Sequence, residues 1–193
     1  MIKLGVTGGI GSGKSVVCEI LHLYNIPVFD ADKVAKQLND NSPIVRENLI
    51  KHFGKEIYTE NSLNRKLFAE IIFNNIDNLK IANSIIHPEV AKSLNYWCQK
   101  HLRSNIVAIE SAILIESGFR KYIDKLITIY TPEEIRISRV ASRDNTSARL
   151  IKARINSQLS EEDKISQSDF VILNDNSHSL ILQVSEIIKE LGY

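Results

Sequence analysis

Apolar and polar positions follow two rhythms along this chain. Short contiguous apolar runs over residues 2–7, 27–29, 106–110, 126–130 and 170–173 are bounded by polar or turn-forming residues. Such runs mark strands buried on both faces. The stretches between them carry helical spacing instead. Val17, Ile20, Leu21 and Tyr24 fall on one face at i, i+3, i+4 and i+7, and Asn25-Ile26-Pro27 breaks that helix. Ser42-Pro43 reads as an N-cap and first helical residue, with Gly54 as the stop. Residues 64–74 form another amphipathic helix, and His87-Pro88 separates two more. Thr131-Pro132-Glu133-Glu134 is a helix start with a capping box, Thr131 as cap and Pro at the first position. Residues 178–191 form a closing helix.

Strands alternating with helices predict an α/β fold, a five-stranded parallel sheet flanked by helices. The helical stretch 33–104 is too long for a simple crossover and reads as an inserted subdomain. The expected organisation is one domain over 1–193. Its core is 1–32, 105–135 and 168–193, its helical insert about 33–104, and a basic segment about 136–160 stands apart.

Composition narrows the class only by exclusion. With 193 residues, 44% hydrophobic and a formal net charge of +1, nothing calls for nucleic acid or a membrane as partner. No apolar run approaches a membrane span, and the first one is too short for a signal peptide. Cys18 and Cys98 are isolated, each within a helical pattern, which fits reduced core residues of a cytoplasmic protein. No oligomer has a visible signature, so a monomer is expected.

Chemistry enters between the first strand and the first helix. Gly8-Gly9-Ile10-Gly11-Ser12-Gly13-Lys14-Ser15 matches G-x-x-x-x-G-K-[ST], the phosphate-binding P-loop, in the strand–loop–helix context it requires. Glycines let the backbone wrap closely and turn N–H groups inward, and the helix N-terminus adds its positive dipole end. The nucleoside triphosphate-binding stretch read from this motif is Gly8, Gly11, Ser12, Gly13, Lys14, Ser15 and Val16, and the family resemblance given below implies that the triphosphate is ATP. Lys14 reaches the β- and γ-phosphates, and the Ser15 hydroxyl holds Mg²⁺. Asp30-Ala31-Asp32 ends the second strand and Glu110 the third, where ligands of open parallel sheets bind. Glu110 could join the Mg²⁺ shell through water, or simply face solvent.

Two features select among P-loop proteins. Neither D-x-x-G nor N-K-x-D is present, so a GTP switch is not indicated. Residues 136–154 carry Arg136, Arg139, Arg143, Arg149, Lys152 and Arg154 against Asp144 alone. Small-molecule kinases use such a basic segment as a lid that neutralises the transferring phosphoryl. Arg139 and Arg143 are the candidates for the ATP phosphates. Asn174 ends the fifth strand, where its carboxamide could meet an adenine edge or serve only as a turn residue.

The chain resembles the dephospho-coenzyme A kinase family nearly end to end. The resemblance rests on Thr7 to Ser15, Asp30-Ala31-Asp32, Phe53-Gly54, Asn64-Arg65-Lys66-Leu67 and His87-Pro88-Glu89-Val90. Later it rests on Arg139, Arg143-Asp144, Arg154-Ile155, Gln158, Asp169, Val171-Ile172 and Asn174. Two departures stand out. Ala112 replaces a proline usual after the third strand, and Lys33 and Lys36 stand where an arginine is common. The resemblance implies a P-loop NTPase fold and transfer of the ATP γ-phosphoryl to the ribose 3′-hydroxyl of dephospho-CoA. It points to Asp32 as the group taking the hydroxyl proton, with Asp30 the alternative and an N-cap role for Asp32 compatible with either. It assigns Arg65 to the substrate pyrophosphate and Arg154 to both substrates. His87 either bonds substrate or caps a helix starting at Pro88. A nucleoside or nucleoside monophosphate kinase is the competing enzyme, and a non-catalytic nucleotide-binding regulator the competing class.

Overall fold

The computed structural model describes residues 1–60 and 62–192. By internal contacts the chain forms two compact units. One comprises Met1–Asp30 and the chain from Lys100 onward, and the other Ala31–Gln99.

The first unit is built on five strands, β1 (Ile2–Thr7), β2 (Val28–Asp30), β3 (Ile106–Glu110), β4 (Lys125–Tyr130) and β5 (Phe170–Leu173). They are all parallel, in the order β2-β3-β1-β4-β5. The five predicted apolar runs are these strands. Register sets Val6 beside Glu110 and Ile127, and Asp30 beside Glu110. The loop after β1 therefore leaves the middle of the sheet at its C-terminal edge, the binding edge of such sheets. Helix α1 (Lys14–Leu23) and the C-terminal helix α9 (Leu180–Glu190) pack together. Their residues Val17, Leu21, Val184 and Ile188 form one core with Leu4, Val6, Ile127 and Ile172. Complete burial of each such side chain stabilises by about 1.5–3 kcal/mol, so the base of the loop rests on a closely packed core. Asp169 clips β5 to β4. Burial pushes its carboxyl pKa up, but Lys125 Nζ and the Leu126 N–H, both at 2.9 Å, outweigh that and hold it below the usual range.

Between β4 and β5 run α6 (Glu133–Asp144), α7 (Ala148–Asn156) and the short α8 (Glu161–Ser166). The expected capping box at Thr131 does not form. Pro132 is the residue preceding α6 and no side chain caps the helix. The Thr131 hydroxyl is used elsewhere, 3.0 Å from the carbonyl oxygens of both Ser12 and Asn174.

The second unit contains α2 (Ala31–Asn41), α3 (Pro43–Phe53), a 3₁₀ turn (Lys55–Ile57), α4 (Arg65–Phe73) and most of α5 (Ile76–Lys100). Ser42 caps α3 by accepting from the Val45 N–H, and Gly54 ends it. Asn64 caps α4 through the Leu67 N–H. The break expected at His87-Pro88 is absent: α5 passes through Pro88 as one 25-residue helix. Pro88 removes one backbone hydrogen bond. Burial of Ile86, Val90, Ala91 and Leu94 around it offsets that loss.

Candidate active site

The loop 8–15 is shaped mainly from behind. Gly13 precedes α1 in the left-handed region, with φ of 92°. A Cβ there would be strained and would overlap Asn174 Nδ2. The Ser12 carbonyl accepts from that Nδ2 at 2.7 Å as well as from Thr131. Ser12 itself is turned inward, its N–H donating to the Gly9 carbonyl at 3.1 Å and its side chain fully buried. On the crest, the Ile10 N–H donates to Gln158 Oε1 at 3.0 Å. No side chain caps the first turn of α1, so its N-terminal end is left to the cleft beyond.

That cleft has a volume of about 300 Å³ and is lined by Gly11, Gly13, Lys14, Ser15, Glu110, Arg139, Val140 and Arg143. Lys14 Nζ donates to the Gly8 carbonyl at 3.1 Å and stands 3.9 Å from Glu110 Oε1. The ammonium is thus held at the base of the loop beside an acid, poised to exchange these contacts for phosphate oxygens. Val16, in the same turn of α1, is half exposed. On the buried face of α1, burial pushes the Cys18 thiol up to about 12, with the Glu110 carboxylate adding to the rise. Cys18 is therefore a protonated, inert core residue.

Arg139 and Arg143 reach the cleft in different states. Arg139 Nη2 donates to Asn176 Oδ1 at 2.7 Å and Asn174 Oδ1 at 3.2 Å. The Asn174 carboxamide is accordingly committed at both ends, to Ser12 and to Arg139. Arg143 makes a two-bond pair with its neighbour Asp144, at 2.7 and 3.1 Å, and Arg154 stands 3.6 Å from the same carboxylate. Their mutual hydrogen bond raises the Arg143 pKa and lowers that of Asp144. Asp175, next to Asn174, is held well below the usual carboxyl range by the Ser177 N–H first and then His178.

A loop presenting lysine and serine to a cleft that two arginines also enter gathers the cationic and hydroxyl groups that can hold a triphosphate. Comparison with known proteins identifies the group. The family model of dephospho-CoA kinase matches residues 2–179. The dephospho-CoA kinase of Porphyromonas gingivalis is 44% identical over 190 residues, covering 98% of this chain and 94% of that protein. That of Bacteroides fragilis is 40% identical over 187 residues, covering 97% and 91%. The chain belongs to the dephospho-CoA kinase family. A solved structure from Thermus thermophilus superposes with a TM-score of 0.88 at 29% identity, covering 98% of this chain and 96% of that one.

For a dephospho-CoA kinase the remaining expected residues lie in the helical unit. Asp32 is the second residue of α2, so it is inside the helix and does not cap it; its charge there complements the helix dipole. Arg65 opens α4 and pairs with Asp40, whose other oxygen accepts from the Leu63 N–H. Arg46 covers the Tyr58 ring at 4.6 Å. His87 is mid-helix in α5, which rules out its capping alternative.

Several residues of this kinase make contacts that the sequence did not indicate. Thr131 and Gln158 hold the P-loop from 119 and 148 residues away. Arg136, expected on one face with Arg139 and Arg143, points inward with 4% exposure and pairs with Glu161. The Ala112 segment keeps Leu114 fully buried and aims Glu116 at the Leu159 N–H, 2.9 Å away. Gln158 belongs to the family resemblance, which was the one available signal; no local pattern reveals the others.

Proposed function

We propose that the cleft of Lys14, Ser15, Glu110, Arg139 and Arg143 is the ATP site of this dephospho-CoA kinase. The chain's activity is ATP-dependent phosphorylation of the ribose 3′-hydroxyl of dephospho-CoA, giving CoA and ADP, the last step of coenzyme A biosynthesis. The observation that carries the site assignment is the convergence of the P-loop lysine and two lid arginines on one cleft at the C-terminal edge of the sheet.

The phosphates lie against Gly8, Gly11, Ser12, Gly13 and Val16, bound chiefly by backbone N–H groups, while Lys14 and Arg143 neutralise charge that grows on the transferring group. Asn174 acts here by fixing the Ser12 carbonyl and Arg139 rather than by reading adenine, which its two existing bonds support. Asp32, two residues beyond β2, accepts the hydroxyl proton. Arg65 and His87 of the helical unit bind dephospho-CoA, and Arg154, in the lid of about 136–160, is assigned to the substrates by the family resemblance.

An ATP-dependent kinase works with a divalent cation. The residues fit Mg²⁺: the Ser15 hydroxyl and the Glu110 carboxylate line one cleft, an all-oxygen donor set. Among the described residues no three His, Cys, Asp or Glu groups cluster, so the cation takes its other ligands from phosphate and water. It would supply charge neutralisation on the β- and γ-phosphates.

Cytoplasmic location agrees with two buried free cysteines and, among the described residues, no helix long and apolar enough to cross a membrane. We take the working form to be a monomer.

The test is ADP release measured against dephospho-CoA and a panel of nucleosides and nucleoside monophosphates. Turnover is expected with dephospho-CoA; turnover with a monophosphate and none with dephospho-CoA would overturn the reading. Asp32→Asn should abolish transfer while ATP affinity is retained, and undiminished transfer removes Asp32 from its role.

A further inference from the structure

Behind the P-loop crest lies a buried charge cluster that the donor site itself does not use. Lys164 is fully buried and Arg136 nearly so. Both point at one oxygen of Glu161, with Lys164 Nζ at 3.3 Å and Arg136 Nη1 at 3.5 Å. The cluster presses on the loop: a Cβ at Gly9 would overlap Arg136 Nη1 and lie 2.7 Å from Glu161 Oε1. The Lys164 carbonyl accepts from Thr128 Oγ1 of β4 at 3.5 Å and from Ser168 Oγ at 2.8 Å.

The residues leading into Glu161 are each held as well. Gln158 accepts the Ile10 N–H, the Leu159 N–H donates to Glu116, and Ser160 Oγ caps α8 through the Asp163 N–H at 3.0 Å. Four successive positions, 158–161, thus make long-range or capping contacts, two of them with the crest at Gly9 and Ile10. A carboxylate shared by two buried cations is costly to desolvate. Its three groups meet where the loop backbone has no side chain to separate them.

We propose that Glu161, with Gln158, is a positioning residue for phosphoryl transfer. It draws Arg136 and Lys164 together beneath Gly9 and so fixes the crest of the P-loop in its phosphate-binding shape. The link runs from the end of α7, and the basic segment it carries, to the loop that holds the donor. Neither residue touches the reacting atoms; both act through the loop backbone. The inference rests on the reading of the P-loop as the ATP site.

The experiment is steady-state kinetics of the full chain, varying ATP and dephospho-CoA separately, with melting temperature measured alongside. Glu161→Gln is expected to lower kcat/KM for ATP by about 10²-fold, the scale of a misplaced reacting group. KM for dephospho-CoA should change by no more than about twofold. Gln158→Ala should give the same one-sided signature at about two- to tenfold, the scale of one hydrogen bond. A merely structural Glu161 would lower the melting temperature and leave ATP kinetics per folded molecule unchanged, which overturns the proposal. An equal rise in KM for both substrates overturns it too. If Glu161→Gln does not fold, Glu161→Gln/Lys164→Met keeps the cluster's net charge and carries the same expectation and the same refutation. Lys14→Ala separates the two readings: if it spares ATP use, the P-loop reading has failed; if it abolishes ATP use while Glu161→Gln does not, only the positioning role has failed.

Discussion

The P-loop and the lid arginines face the same cleft but are held in opposite ways. The loop is fixed by contacts from distant parts of the fold: Thr131 and Asn174 on the Ser12 carbonyl, Gln158 on the Ile10 N–H. Arg143 and Arg154, 64% and 55% exposed, have in common only Asp144, which is adjacent to one and ten positions from the other. Surface ion pairs of this kind contribute little, because solvent screens them, so they are readily exchanged for a triphosphate. A neutral carbonyl bonded twice in the interior resists movement, because each broken bond leaves a buried group unpaired. On the proposed reading, the cradle is formed before nucleotide arrives, while the lid arginines wait in a cheap local pairing and reorganise around it. Arg139 is intermediate, bonded to Asn174 of the cradle and Asn176 of the surface.

The largest effect is expected where cradle and chemistry coincide. Lys14→Ala should lower kcat/KM by about 10²-fold or more, since it removes a charge aimed at the transferring group. A smaller loss would shift the weight of catalysis to the lid. Next comes an anchor behind the loop. Asn174→Ala strips a bond from the Ser12 carbonyl and another from Arg139, and should cost about 1–3 kcal/mol of stability together with a loss in ATP kcat/KM. If denaturation midpoint and kinetics are both unchanged, the cradle does not depend on this anchor.

Freeing the lid should matter less. Asp144→Asn leaves Arg143 and Arg154 without their shared partner. The expected result is a change in kcat/KM of a few-fold at most, sensitive to salt, with little change in stability. A large loss would mean that Asp144 itself positions the arginines. The smallest effect on activity accompanies a change seen in stability alone. Cys18 has its thiol pKa raised to about 12 by burial, against about 8.5 in an unfolded chain. Its contribution is fully present below the lower value and is lost as pH rises toward the upper one, because only the unfolded state then ionises. Urea midpoints of the native chain should fall between about pH 8.5 and 11 more steeply than those of Cys18→Ala. Parallel curves would mean the thiol is not dry.

What the sequence made legible divides along the same line as the two regions. Strands, helix α1 and the P-loop are local statements, read from neighbouring residues, and they appear where the apolar runs and the G-x-x-x-x-G-K-[ST] spacing put them. The cradle's anchors are not local. A threonine before Pro132 looks like a cap, since nothing in Thr131-Pro132-Glu133-Glu134 announces a carbonyl at Ser12. Arg136, Arg139 and Arg143 share helical spacing, yet a partner at Glu161 draws the first of them inward. Proline at position 88 is a local signal that points the wrong way, because burial along α5 outweighs one missing hydrogen bond. The acceptor site was named from the family resemblance at Arg65 and His87, and spacing alone supplies no reason to choose those two.

Hydrogen exchange of the nucleotide-free protein and of its complex with a non-hydrolysable ATP analogue tests the difference between cradle and lid directly. The Ile10 and Ser12 amides should exchange slowly in both states, and amides of residues 144–157 should exchange fast in the free protein and slow on binding. Fast exchange at Ile10 and Ser12 that slows only with nucleotide, or a segment 144–157 equally protected in both, would contradict it.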